Sequence, residues 1–156
     1  MSIMTKERKE LAVAALRCGT VIDHIPADVL FKAVKILGIE KMTTNVTIGN
    51  NLSSPRLGTK GIIKVADVEF PDDVLNRIAL IAPHANINII RDFEVVKKFP
   101  ISLPDEITGI VRCGNPKCIT NNEPMRTRFE VIDRDDVTIR CHYCGQVVKS
   151  GDAQID

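Results

Sequence analysis

Thr20-Val-Ile-Asp-His-Ile-Pro-Ala-Asp-Val-Leu-Phe-Lys-Ala-Val-Lys-Ile-Leu-Gly38 changes its hydrophobic period once, at Pro26, and the reading of the chain turns on that change. Thr20 to Ile25 is rich in β-branched residues and reads as a strand. Pro26 lacks a backbone donor and ends it. Over 27–37 the period becomes helical, with Leu30, Ala33, Val34 and Leu37 at i, i+3, i+4 and i+7. Gly38 stands where a helix-terminating glycine belongs. Downstream, Thr43 to Gly49 reads as a second strand with Val46 and Ile48 on one face. Asn50 to Thr59 is polar and reads as an exposed loop, and Gly61 to Val68 reads as a third strand. Pro71, Asp72 and Asp73 open a second helix, since proline and acids suit a first turn. Val74, Leu75, Ile78, Leu80 and Ile81 give it an apolar side, and Pro83 closes it. Asn86 to Arg91 and Phe93 to Lys98 are strand-like. The order β-α-β-β-α-β predicts an α+β fold, a ferredoxin-like sandwich with both helices on one face of an antiparallel sheet.

Beyond Pro100 and Pro104 the character changes. Residues 107–156 hold no helical pattern but contain Cys113-x4-Cys118 and, 22 residues on, Cys141-x2-Cys144. Two close pairs at such a separation suit a tetrahedral ion with four thiolates. Strand-like pieces at Arg128 to Ile132 and Thr138 to Cys141 would bring the two turns together. The expectation is a small all-β zinc ribbon of rubredoxin-like type with one structural zinc ion. A closed set of four thiolates leaves no open position for catalysis. Cys141-His142-Tyr143-Cys144 read as a redox dithiol would need a βαβ context that is missing around it. His142 is expected to face solvent from its knuckle. The expected organisation is a first domain over 1–99, a proline-stiffened linker over 100–106 and a zinc-binding domain over 107–156.

Composition narrows the function. A formal net charge of +1 and an aromatic content of 4% leave little for tracking a phosphate backbone or stacking bases, so no nucleic-acid partner is expected. No apolar run is long enough to span a bilayer, so no membrane partner is expected either. Glu7 and Glu10 precede a patch confined to Leu11 to Leu16, which argues against a secretory signal, and the charge run Lys6 to Glu10 reads as a solvated face or a disordered end. The chain is therefore expected in the cytoplasm, where five cysteines suggest a metal before disulfides. Cys18, alone in an apolar stretch, reads as a small buried hydrophobe.

In the first domain, adjacent strand residues face opposite sides, so Asp23 and His24 are not expected to act together. Lys64 interrupts an apolar strand, and Lys97 and Lys98 end another. They read either as guards of strand edges or as part of an anion site. His84, after Pro83, is expected in solvent. Gly58-Thr59-Lys60-Gly61 lacks the spacing of a phosphate-binding P-loop, and no nucleophile–base constellation is present. A nucleic-acid-binding zinc ribbon and a free-standing enzyme are the competing readings, and charge and missing catalytic groups weigh against them.

Gly19-Thr20-Val21-Ile22-Asp23-His24-Ile25-Pro26 resembles the opening motif of the aspartate carbamoyltransferase regulatory chain family. Gly61-Ile62-Ile63-Lys64-Val65, Ala82-Pro83, Asn86-Ile87-Asn88-Ile89-Ile90-Arg91, Pro104-Asp105-Glu106-Ile107, Cys113 to Asn121 and Cys141-His142-Tyr143-Cys144 resemble its later motifs, in order and over nearly the whole chain. The resemblance implies a noncatalytic subunit of pyrimidine biosynthesis whose first domain binds CTP as inhibitor and ATP as activator, with UTP alongside. It implies a site of Val13, Ala14, Ala15, Leu16, Asp23, His24, Asn51, Lys60, Lys64, Asn88, Ile90, Phe93, Val95 and Lys98. Lys98 and His24 would address phosphates, with Asn51 and Lys60 nearby. Lys64 and Asp23 would work near ribose and base, and backbone around Leu16, Ile90 and Phe93 would read the base edge. Ala14 and Phe93 depart from the Glu and Tyr of some members. The zinc domain would dock on catalytic chains, and regulatory homodimers would join two catalytic trimers in a dodecamer of six catalytic and six regulatory chains.

Overall fold

The computed structural model describes residues 16–156. The expected site residues Val13, Ala14 and Ala15, the charge run Lys6 to Glu10 and all but the last residue of the patch Leu11 to Leu16 lie outside the described residues. The described chain is mixed α and β: β1 (Gly19–Pro26), α1 (Leu30–Leu37), β2 (Val46–Ser54), β3 (Gly58–Ala66), α2 (Asp72–Ile81), β4 (Asn86–Arg91) and β5 (Glu94–Pro100) come first. Then follow β6 (Glu106–Thr108), β7 (Val111–Arg112), β8 (Arg128–Asp133), β9 (Thr138–Cys141), β10 (Val147–Lys149) and β11 (Gln154–Ile155). The first five strands form one antiparallel sheet in the order β2-β3-β1-β4-β5; β10-β9-β8-β6 and β11-β7 form two smaller antiparallel sheets.

Register divides the large sheet into two faces. Ile22, Ile63, Val65 and Ile87 share a core with Leu30, Ala33 and Leu37 of α1 and Ile78, Ala79 and Leu80 of α2. Val21, Ile62 and Ile90 form a separate buried cluster, with Leu16 packed against it. Alternation along each strand produces this division, because successive side chains leave opposite faces. Gly61 lets α1 approach closely, since a Cβ there would stand 2.6 Å from Leu30 Cδ1. Gly38 caps α1 in the left-handed region at φ 69°.

Three expectations are corrected. Asn50 to Ser54 is not a loop but the second half of β2, and β3 starts at Gly58, leaving a tight turn at Pro55 to Leu57. β2 is an edge strand with mostly exposed side chains, so it carries little apolar signal. Lys64 does not guard an edge, because β3 lies between β2 and β1. Asp23 and His24 do not simply oppose each other: the register slips between Ile22 and Ile25, and His24 takes φ 62°. That bulge breaks the alternation on which the earlier reading relied.

Asp92 and Phe93 join β4 to β5 with φ 52° and 67°, and the Phe93 N–H donates to Arg17 O at 3.0 Å. Two successive left-handed residues are the geometry that favours Asp-Gly in a hairpin. Phe93→Gly is expected to raise stability by about 1 kcal/mol, read as a higher melting temperature, because it relieves left-handed strain at a side chain 57% exposed. A lower melting temperature would show that the ring packs on something.

The segment after β5 is packed rather than loose: Ile101 and Leu103 are buried, in the same core that reaches Ile107, Phe129, Val137, Ile139 and Cys141. Ser150 Oγ donates to Leu80 O at 2.7 Å across this seam, and Arg77 Nε donates to Asp156 O at 2.9 Å. Ser150 and Arg77 were not singled out from sequence; a contact spanning 70 positions leaves no local pattern. Ser150→Ala is expected to cost about 1 kcal/mol, measured by urea unfolding, since it removes one buried hydrogen bond. An unchanged midpoint would mean that water replaces the hydroxyl.

Candidate functional site

Cys113, Cys118, Cys141 and Cys144 converge at the end of the smaller four-stranded sheet, their sulfurs all within 4.8 Å of one another. Cys113 Sγ lies 3.6 Å from Cys144 Sγ, and Cys118 Sγ lies 3.8 Å from Cys141 Sγ. A tetrahedron of thiolates around an ion at about 2.3 Å has edges of about 3.8 Å, so the four fit a tetrahedral metal. Three of the four cysteines are buried, and Cys144 is exposed.

Each knuckle is built locally. Cys118 N–H donates to Asn115 O at 3.0 Å, and Lys117 N–H to Asn115 Oδ1 at 3.0 Å. Asn121 Nδ2 holds the same loop through Cys113 O at 2.9 Å and Asn115 O at 2.8 Å. Asn122 Nδ2 donates to Cys118 O at 2.8 Å. In the second knuckle Gly145, at φ 78°, donates its N–H to Cys141 O at 2.9 Å. Thr120 Oγ1 sits 3.2 Å from Cys118 Sγ, placed to donate to a thiolate there. Thr120, Asn121 and Asn122 were not assigned roles from sequence; a polar run just after a cysteine knuckle was the available signal. His142 does face outward, and its Nδ1 lies 3.0 Å from Glu130 Oε1. Hydrogen bonds from Arg140 and then His142 hold the Glu130 carboxyl at about 2.

Without metal, burial pushes the Cys113 thiol up to about 12 and raises that of Cys141. Burial also acts upward on Cys144, but donors including the Gln146 backbone and the Asn115 side chain outweigh it and bring this thiol to about 7. Metal uptake at neutral pH thus displaces a proton from at least Cys113 and Cys141. Apparent metal affinity is expected to fall at least about 100-fold for each unit of pH decrease, as two protons compete. Competition with a chromophoric chelator at several pH values reads this directly. A pH-independent affinity would mean that the ion is not held by thiolates.

The second constellation lies on the sheet face opposite the helices. Register places Thr47, Lys64, Val21, Asn88 and Lys98 in one row across β2, β3, β1, β4 and β5. Asn88 is 4% exposed. Burial lowers the Lys64 ammonium from its ordinary value, and the Asp23 carboxylate partly restores it. Ile90 pairs with Val95 on this face, and Leu16 packs over Val21, Ile62 and Ile90. Off the row, farther along β3 and β1, Lys60 Nζ stands 2.9 Å from Asp23 Oδ1 and 3.1 Å from Oδ2. Asn51, at φ 56°, occupies the matching bulge in β2. Phe93, on its turn, is linked to this region through Arg17. The expected residues Leu16, Asp23, Lys60, Lys64, Asn88, Ile90, Val95 and Lys98 therefore share one region. Lys97 lies elsewhere: it pairs with Ile89, which packs against the helix-side core, and its Nζ sits 5.0 Å from the Phe99 ring centre. Cys18 is only partly buried, and His84 is exposed.

Two family models match the chain: the aspartate carbamoyltransferase regulatory chain allosteric domain over residues 11–102, and the metal binding domain of the same chain over residues 105–154. The aspartate carbamoyltransferase regulatory chain of Bacteroides fragilis is 57% identical over 152 residues, covering 97% of this chain and 99% of the relative. That of Parabacteroides distasonis is 56% identical over 147 residues, covering 94% and 96%. The similarity extends to Pyrococcus abyssi, whose regulatory chain is 48% identical over 142 residues, covering 90% and 93%.

Proposed function

Because this chain belongs to the aspartate carbamoyltransferase regulatory chain family, and is thus a noncatalytic, allosteric subunit of pyrimidine biosynthesis, we propose that it binds CTP as inhibitor and ATP as activator on the lysine-lined sheet face, with UTP as a further ligand. The observation that carries this reading is the row Lys64–Val21–Asn88–Lys98. Two ammonium groups flank a buried amide, with an apolar floor of Val21, Ile62 and Ile90 beneath. Such an arrangement suits a planar base and ribose joined to an anionic tail. Lys98 and His24 take the phosphates, with Asn51 and Lys60 beside them. Asp23 and Lys64 serve ribose and base, and backbone around Leu16, Ile90 and Phe93 reads the base edge. Val13, Ala14 and Ala15 complete the site from the preceding segment.

The metal in this reading is one structural zinc ion, supported by the four-sulfur tetrahedron. The arrangement of the first domain is the ferredoxin-like one with an added edge strand, supported by the order β2-β3-β1-β4-β5. The domains run over 1–99 and 107–156 with a linker over 100–106. The zinc domain docks on catalytic chains, and regulatory dimers link two catalytic trimers into a dodecamer of six and six chains. The setting is the cytoplasm; no helix among the described residues is long and apolar enough to cross a membrane.

Control is a coupling free energy: CTP favours the low-activity assembly and ATP the high-activity one, typically by about 1–3 kcal/mol. Mixing the zinc-loaded chain with its catalytic trimer should produce carbamoyl transfer that CTP and ATP shift in opposite directions by about 5–150-fold in substrate affinity. A reconstituted assembly whose activity neither nucleotide alters would refute the proposal.

A further inference from the structure

Asp23 occupies a position that a phosphate site would not be expected to give an acid. It lies in the β1 bulge, 8% exposed, and both carboxylate oxygens hold Lys60 Nζ, at 2.9 and 3.1 Å. The His24 backbone N–H donates to Asp23 Oδ1 at 2.7 Å. The His24 ring nitrogen Nδ1 stands 3.4 Å from that same oxygen, buried and without a hydrogen-bond partner among the described residues. One of the three lysines assigned to the site is thus neutralised from within. A second group able to donate, the His24 ring, stands beside the carboxylate.

We propose that the Asp23–Lys60 ion pair is a latch that sets how many phosphates an effector must carry. The inference deepens the nucleotide reading and rests on it. A ligand with a short phosphate chain meets Lys64 and Lys98 only, because a single phosphate does not outcompete a carboxylate already held in place. A triphosphate carries enough charge to draw Lys60 off. Asp23 is then not stranded: a small rotation closes the 3.4 Å gap and lets His24 donate Nδ1–H to it. The same hydrogen bond fixes the imidazole so that Nε2 faces the phosphates. The left-handed backbone at His24, φ 62°, is what sets the ring beside its own neighbour's carboxylate.

Calorimetric titration of the zinc-loaded full chain with CTP, CDP and CMP tests this in wild type, Asp23→Asn and Lys60→Met. Asparagine keeps the acceptor for the His24 N–H but holds lysine weakly. In Asp23→Asn the ratio of CMP to CTP dissociation constants is expected to shrink about tenfold or more, since Lys60 becomes available to every ligand. Lys60→Met is expected to weaken CTP by about 10-fold or more and CMP by less than about twofold. An unchanged ratio in Asp23→Asn, or equal weakening of CMP and CTP by Lys60→Met, overturns the latch and leaves the nucleotide site standing. Failure of the wild-type chain to bind any of the three overturns the nucleotide reading, and the latch with it. Thermal melts check that each variant is folded; if Asp23→Asn is not, the Lys60→Met arm decides alone.

Discussion

Stripping the metal from the assembled protein is expected to unfold the C-terminal module and release the catalytic chains. The magnitude makes this the largest effect available in the chain. Structural zinc contributes roughly 10–16 kcal/mol in small metal-folded peptides, whereas an entire domain is stable by about 5–15 kcal/mol. The module's strands are short, and β7 and β11 have two residues each. Removing the ion leaves the thiols facing one another at 3.6 and 3.8 Å, with only weak contacts such as Cys113 Sγ to Gln146 Oε1 at 3.7 Å left to draw the two knuckles together. The damage should spread beyond the knuckles. Phe129, Ile139 and Cys141 belong to the same buried cluster as Ile101, Leu103 and Leu80, so melting the module uncovers the seam against α2 as well. Sedimentation of the assembly before and after chelation, with circular dichroism on the isolated chain, measures both consequences. Cys118→Ser should reproduce them without chelator, because Cys118 is 1% exposed and serine is a poor ligand for zinc. An intact assembly lacking metal would mean that the shared apolar core holds the module by itself.

What sequence reveals here follows the range of the interactions involved. The cysteine cluster was legible because metal coordination permits few spacings, and both pairs lie on local turns. The first strand and helix were legible because Pro26 separates two clear periods. The second half of β2 was not. Its residues Asn50 to Ser53 are partly or fully exposed, so its ladder is held by backbone bonds that polar side chains do not announce. The Asp23–His24 relation was misread for a related reason: strict alternation assumes an unbroken ladder, and a bulge changes which way a side chain points without changing composition. Three of the residues that family resemblance places in the effector site, His24, Asn51 and Phe93, have left-handed backbones. Strain of this kind persists where surroundings over-determine it, and it has no signature in a single sequence beyond the absence of glycine. The seam between Ser150 and Leu80 was invisible for the opposite reason. Nothing about either residue is locally unusual; the packing of the segment after β10 against α2 brings them together.

The second large effect is expected at Lys98. In the row that crosses the sheet it pairs with Asn88 and stands three strands from Lys64, with Val21 and Asn88 between them. Lys64 is partly desolvated and Lys60 is held by Asp23, so Lys98 is the exposed cation of the three and makes no ion pair among the described residues. A phosphate chain laid along this face therefore meets Lys98 at the least desolvation cost. Lys98→Ala is expected to weaken both CTP and ATP by about 10–150-fold, the worth of a charge-assisted hydrogen bond of about 1.5–3 kcal/mol. The loss should be similar for the two nucleotides, since phosphate recognition is blind to the base. It should also shrink with added salt, because the side chain is exposed. Lys97→Ala supplies the matched comparison: it removes the same charge from the adjacent residue, whose cross-strand partner Ile89 belongs to the helix-facing core, and is expected to change either affinity by less than about threefold. Calorimetry on both variants separates a placed phosphate ligand from a general basic surface. Equal losses at Lys97 and Lys98 would mean that the face attracts nucleotides only by its charge, and that the row across the sheet does not bind them.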